Sequence, residues 1–89
     1  MIILITYDLN NPGKDYMPLY SAIKDISGTW WHSLTSVWLI DTDKNTNRVR
    51  DMLTPRIDSN DELFVVRLTP DYAGYLSREA WQWLNNRKF

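Results

Sequence analysis

The 89-residue chain has no cysteine, which excludes disulfide staples, Cys-ligated zinc and thiol nucleophiles. It has one histidine, His32, so no two-histidine metal site can form within a single copy. A basic excess is also missing: ten Lys and Arg against eleven Asp and Glu leave a formal net charge of −1. Phosphate neutralisation supplies most sequence-independent affinity for nucleic acid. Strong nonspecific binding of DNA or RNA is therefore disfavoured, although a local patch stays open. No apolar stretch is long enough to span a bilayer. The opening MIILITYDLNN has no basic n-region, and its short apolar run reads as a strand. No signal peptide is read there, and the cytosol is the expected location.

What the chain does have is aromatic residues: five Trp and five Tyr. Large rings bury much area each and suit both a small core and a protein interface. The length fits one domain over residues 1–89, below the commonest domain size. Folding at this size buries roughly 60–65% of the unfolded surface, so one thin core is expected. Small domains without staples often gain stability by oligomerising.

Residues 2–9 (IILITYDL) are mostly β-branched or apolar and stop at Asn10-Asn11-Pro12-Gly13, a turn signal. Tyr16, Leu19, Tyr20, Ile23 and Ile26 share one helical face. Pro18 stands near the start of that helix and Gly28 is expected to close it. Residues 29–41 carry β-formers throughout, with Ser33-Leu34-Thr35-Ser36 as either a turn or a bulge. A second helix is predicted over residues 45–53, with Val49, Met52 and Leu53 on one face. Asp43 or Thr46 is its expected cap and Pro55 its terminator. Asp58-Ser59-Asn60-Asp61 reads as a turn and residues 62–69 as a strand, stopped by Pro70. Residues 77–87 read as a helix capped by Ser77, with Leu76, Ala80, Trp83 and Leu84 on one side.

The order β-α-β-β-α-β with an appended helix predicts an α+β, ferredoxin-like sandwich with both helices on one sheet face. The other face then needs a cover, from the C-terminal aromatic segment or from a second subunit. Trp30, Trp38, Tyr72, Trp81 and Trp83 are the expected sources of covering area. A homodimer is the preferred expectation, with Tyr72, Trp81 and Trp83 as candidate interface residues.

The first strand ends in Tyr7-Asp8, and this arrangement resembles the small CRISPR-associated proteins that form the central dimer of the spacer-integration complex. It also resembles the virulence-associated protein D ribonucleases. The segments YDLNNPGKDY, Trp31-His32-x-Leu34-x-Ser36-x-Trp38 and Asp58-Ser59-Asn60-Asp61-x-Leu63 are similar to short "SinR family" proteins of bacteria and phages. The likeness spans most of residues 1–69. It implies a ferredoxin-like homodimer whose first-strand Asp lies near the two-fold axis. It also implies, where nuclease activity has been proposed, a divalent metal held by the paired Asp residues; Asp8 is the matching position. The chain departs from the integration-complex proteins in lacking their basic surface and in carrying a Trp-rich C-terminal helix.

Each candidate residue has a plain alternative. Asp8, shared across a dimer axis, suits Mg²⁺, which takes one or two carboxylates and keeps several waters. Otherwise it is a strand-end acceptor for N–H groups of the NNPG loop. His32 has the chemistry of a general acid or base, or else packs on aromatics and hydrogen-bonds locally. Trp30, Trp31 and Trp38 could stack single-stranded bases, but the ribonucleoprotein signature that accompanies such stacking is absent from residues 62–69, and core or dimer packing is their plain alternative. Arg48, Arg50, Arg56 and Arg67 could follow a phosphate path, yet Asp51 and Asp58 among them suggest a solvated mixed-charge face. Asp41, Asp43, Asp58, Asp61 and Glu62 could chelate a cation or simply form turns.

Three functions are expected in turn. The first is a dimeric binding or scaffold module taking a protein partner or a small nucleic acid. The second is a Mg²⁺-dependent endoribonuclease using Asp8 from both subunits. The third is a phage-encoded inhibitor of a host defence protein.

Overall fold

Strand β1 (Ile2–Asp8) runs through the interior of the sheet. Its β-branched residues suit a pleated surface. Cover on both faces explains why the run is apolar without alternation. In the computed structural model, which describes residues 1–89, β1 leads into α1 (Met17–Ile26) and the hairpin of β2 (Trp30–Leu34) and β3 (Val37–Asp41). Then come α2 (Thr46–Leu53), a 3-10 turn (Thr54–Arg56), β4 (Glu62–Arg67) and α3 (Arg78–Asn85). The four strands form one antiparallel sheet in the order β2-β3-β1-β4. This is the ferredoxin-like arrangement with one added helix.

Register assigns the faces. Ile3 stands opposite Ile40, and Ile5 opposite both Trp38 and Val65. These residues point to one side, where Leu19, Ile23 and Ile26 of α1 and Val49 and Leu53 of α2 close the main core. Each such aliphatic side chain contributes on the order of 2 kcal/mol when fully buried.

Local signals were partly as expected. Pro18 does lie in the first turn of α1. Gly28 does not close that helix: Ser27 takes extended backbone there, and its hydroxyl donates to the Asp41 carbonyl. The glycine that needs its freedom is Gly13, at φ +87° in the turn after β1. α2 is capped by Asn45, whose side chain accepts the Arg48 N–H at 2.9 Å, rather than by Asp43 or Thr46. Asn45 is the residue at the helix boundary with extended φ/ψ, which capping requires. Ser77 caps α3 as expected, accepting the Ala80 N–H at 3.3 Å. The Ser33–Ser36 stretch is both a turn and an irregularity, with a register shift between Trp31 and Leu34.

The second sheet face is covered in part by the chain itself. Trp31 and Leu39 from the sheet pack with Ala80 and Leu84 of α3, and Tyr72, Trp81, Trp83 and Phe89 lean on this second core. Two of the expected covering residues are elsewhere. Trp38 is 2% exposed and belongs to the main core under the helices. Trp30 stands beside it, with ring centroids 5.2 Å apart. The cover stops short of the Asp8 end of the sheet, where Phe64 is 63% exposed in the middle of β4.

Candidate functional site

Strand alternation puts Asp8 on the same face as Leu4 and Thr6, at the uncovered end of the sheet. Glu62 is its direct cross-strand partner, and Phe64 stands opposite Thr6. These residues, with Tyr7 and Leu63, line a shallow open cleft of about 440 Å³. Like charges directly opposite on adjacent strands repel, and no lysine, arginine or N-terminus pairs with either carboxylate. The pair is thus a spot of uncompensated negative charge at a solvent-open strand end. Two hard oxygen donors in this position fit the modest protein ligand set that Mg²⁺ accepts. No group of three or more ligating side chains is gathered anywhere in the fold.

The plain reading of Asp8, as acceptor for the NNPG loop, falls instead to Asp61. Asp61 is 8% exposed and accepts the Asn10 N–H at 2.7 Å, the Asp58 N–H at 2.9 Å and Asn11 Nδ2 at 3.2 Å. The Tyr16 hydroxyl lies 2.9 and 3.0 Å from its two oxygens. Burial pushes this carboxyl's pKa up, but the Asn10 and Asp58 N–H groups, the Tyr16 hydroxyl and the charge of Lys14 outweigh it. The net result holds Asp61 below the ordinary value of 3.8. Beside it, Lys14 Nζ is 2.8 Å from Asp58 Oδ1; that bond, against some desolvation, raises the lysine's pKa. Together these contacts clamp the loop after β1 to the loop before β4. The clamp fixes the two strand ends that carry Asp8 and Glu62.

His32 lies on the helix side of the sheet, away from Asp8. Its ring stacks on Trp38 with centroids 3.9 Å apart and planes 4° from parallel, and Nδ1 is 2.8 Å from the Val37 carbonyl oxygen. It packs and hydrogen-bonds locally, and no nucleophile is brought to it. Trp38 presents no free face for a base, being buried, and its Nε1–H donates to the Tyr7 hydroxyl at 3.1 Å. Trp30 is 37% exposed, with Lys24 Nζ 5.0 Å from its ring centre.

The remaining candidates disperse. Arg48 and Arg50 are exposed on α2, in the layer opposite the Asp8 face, and Arg50 pairs with Asp51 at 2.9 Å. Tyr72, Trp81 and Trp83, expected at an interface, are half-buried within the chain against the second core. Of the acidic group, Asp41 lies 3.7 Å from Arg87, Asp58 pairs with Lys14, and Asp61 is the clamp. Glu62 was foreseen only as one of several loop carboxylates, because nothing in its local sequence announces Asp8 as its neighbour. No family model matches the chain. No helix is long and apolar enough to cross a membrane.

Proposed function

We propose that the chain is a homodimeric binding module that pairs with a second copy through the uncovered end of its sheet. Binding a protein partner or a small nucleic acid, rather than robust catalysis, is its main role. The observation that carries this is Phe64, a large aromatic 63% exposed in the middle of a strand. Strand β4 is also an edge of the sheet, and an open edge carrying an exposed aromatic favours pairing with another chain. The likeness of the Tyr7-Asp8 strand end to the CRISPR-associated proteins, and of YDLNNPGKDY to the short SinR family proteins, supports the same choice, since that resemblance implies a homodimer. A chain without cysteine also suits the reducing cytoplasm. Multi-angle light scattering is the test. A dimer at micromolar concentration that Phe64→Asp converts to a monomer is expected; a monomer throughout the concentration range would overturn the proposal.

A second reading is favoured by the direct opposition of Asp8 and Glu62. It is a Mg²⁺-dependent endoribonuclease, with Asp8 from one or both copies, assisted by Glu62, holding the ion. The ion would supply an activated water and stabilise charge on the phosphoryl group. The side chains' part is to fix that ion at the strand ends, which the Asp61 clamp holds in place.

A further inference from the structure

Strands β2 and β4 are the two edges of the sheet, and they differ. Strand β2 carries the register shift between Trp31 and Leu34, and an irregular edge resists pairing. Strand β4 has six residues in unbroken register with β1, no proline, and charge only at its two ends, Glu62 and Arg67. Its hydrogen-bonding parity follows from the Leu68 N–H, which donates to the Ile2 carbonyl oxygen at 2.8 Å. In an antiparallel ladder every second residue bonds to a given neighbour, so the main-chain groups of Glu62, Phe64 and Val66 face β1. Those of Leu63, Val65 and Arg67 point outward from the edge, where no other strand lies.

We propose that two copies join edge to edge, β4 antiparallel to β4 with Phe64 on the two-fold axis, merging two four-stranded sheets into one. This rests on the homodimer proposed above and sets how it is built. An axis perpendicular to the sheet keeps each face on its own side, so residues of the same face meet. Phe64 then stands opposite Phe64 of the partner subunit at a non-hydrogen-bonded pair, where side chains are closest and aromatic pairs stabilise. Leu63 exchanges main-chain bonds with the partner's Val65, and Glu62 stands opposite the partner's Val66.

Charge selects this alignment. Arg67 makes no ion pair within the chain, and the antiparallel pairing brings the partner's Arg67 opposite Asp61 and next to Glu62. An axis at Val65 would instead set the partner's Arg67 opposite Leu63 and part the two Phe64 rings. Parallel pairing would set like charges side by side. One consequence concerns Asp8, which lies one strand in from the junction and level with Glu62. A strand spacing of about 4.8 Å and a rise of about 3.4 Å per residue put the two Asp8 Cα atoms on the order of 20 Å apart. Any ion at Asp8 and Glu62 is then held by one copy alone.

The chain has no cysteine of its own, so introduced ones report pairing directly. A non-hydrogen-bonded Cα separation of about 4.5 Å is within disulfide reach. Under mild oxidation Glu62→Cys/Val66→Cys, which keeps Phe64, is expected to give a covalent dimer. Its two sites lie about 13 Å apart within one strand and cannot bridge internally. Asp8→Cys should stay uncross-linked. In the wild type, amide exchange at Leu63 and Val65 should slow by roughly tenfold or more as concentration rises into the dimer range, with Phe64 protected throughout. A dimer in which Asp8→Cys cross-links and Glu62→Cys/Val66→Cys does not would overturn the edge pairing and leave the homodimer standing. A wild type that is monomeric by light scattering would overturn both, and leave the edge to a strand of another protein.

Discussion

The Tyr16 hydroxyl sits 2.9 Å from Asp61, a residue 45 positions further along the chain. This contact, with those from Asn10, Asn11 and Asp58, makes one buried carboxylate the joint between the two loops that frame the Asp8 end of the sheet.

Replacing Asp61 by Asn is expected to lower the thermal midpoint by several degrees, because an amide cannot accept all of these donors and leaves some unpaired. The pH dependence follows from the depressed carboxyl. Its stabilisation is fully present above the ordinary value of 3.8 and is lost as pH falls through the lower folded value. Thermal melts from neutral to acid pH should therefore show wild type and Asp61→Asn converging below that point. Parallel curves with a constant gap would contradict the assignment.

Tyr7 offers the mirror case on the alkaline side. Burial raises its pKa above 10.0, opposed by the N–H that Trp38 donates to it, with Tyr20 adding to the rise. A raised phenol contributes stability that is complete below 10 and is lost as pH climbs through the folded value. Tyr7→Phe should remove that alkaline slope. At neutral pH it leaves the buried Trp38 N–H without its acceptor, a cost of about 1–2 kcal/mol. Chemical denaturation at pH 7 and in the alkaline range checks both parts.

Element order was legible in the sequence because helix and strand periods differ and the turn residues fall between them. The faces of the central strands were not. Trp38, Leu39 and Ile40 are all at most 5% exposed, so both sides of β3 are covered and alternation gives no parity. Trp30 and Trp31 likewise look equivalent in sequence, yet they take opposite faces, one near the helices and one under α3. Asp8 entered as a candidate through the family resemblance of the Tyr7-Asp8 strand end, since an Asp after an apolar strand is unspecific by itself. Its opposition to Glu62 depends on the pairing of β1 with β4, set by contacts more than fifty residues apart in the chain. Asp61 was hidden for the same reason: a turn carboxylate shows its burial only when its distant donors are known.

Phe64→Asp is expected to break assembly while sparing the fold. Its side chain is exposed, so little packing is lost, but an Asp in mid-strand beside Asp8 and Glu62 should lower the thermal midpoint of the single chain by a few degrees. In the proposed dimer it buries a charge without a partner, which is strongly unfavourable. Light scattering should then read a monomer with an unchanged circular dichroism spectrum. Loss of the dimer together with loss of secondary structure would instead mean that Phe64 supports the fold.

Asp8 and Glu62 can be separated from the rest of the protein by their chemistry. If they hold Mg²⁺, Asp8→Ala and Glu62→Ala should each reduce Mg²⁺-dependent cleavage of single-stranded RNA by at least tenfold, and EDTA should abolish it. His32→Ala should leave that cleavage unchanged, since the imidazole is stacked on Trp38 on the other side of the sheet. Without metal the same two alanine variants should be slightly more stable than wild type, because each removes a like-charge pair worth roughly 0.2–1 kcal/mol. That gain should shrink as salt screens the repulsion. Cleavage that persists in Asp8→Ala, or wild-type protein that cuts nothing in Mg²⁺, would end the nuclease reading. The stability gain would still report whether the two carboxylates face each other.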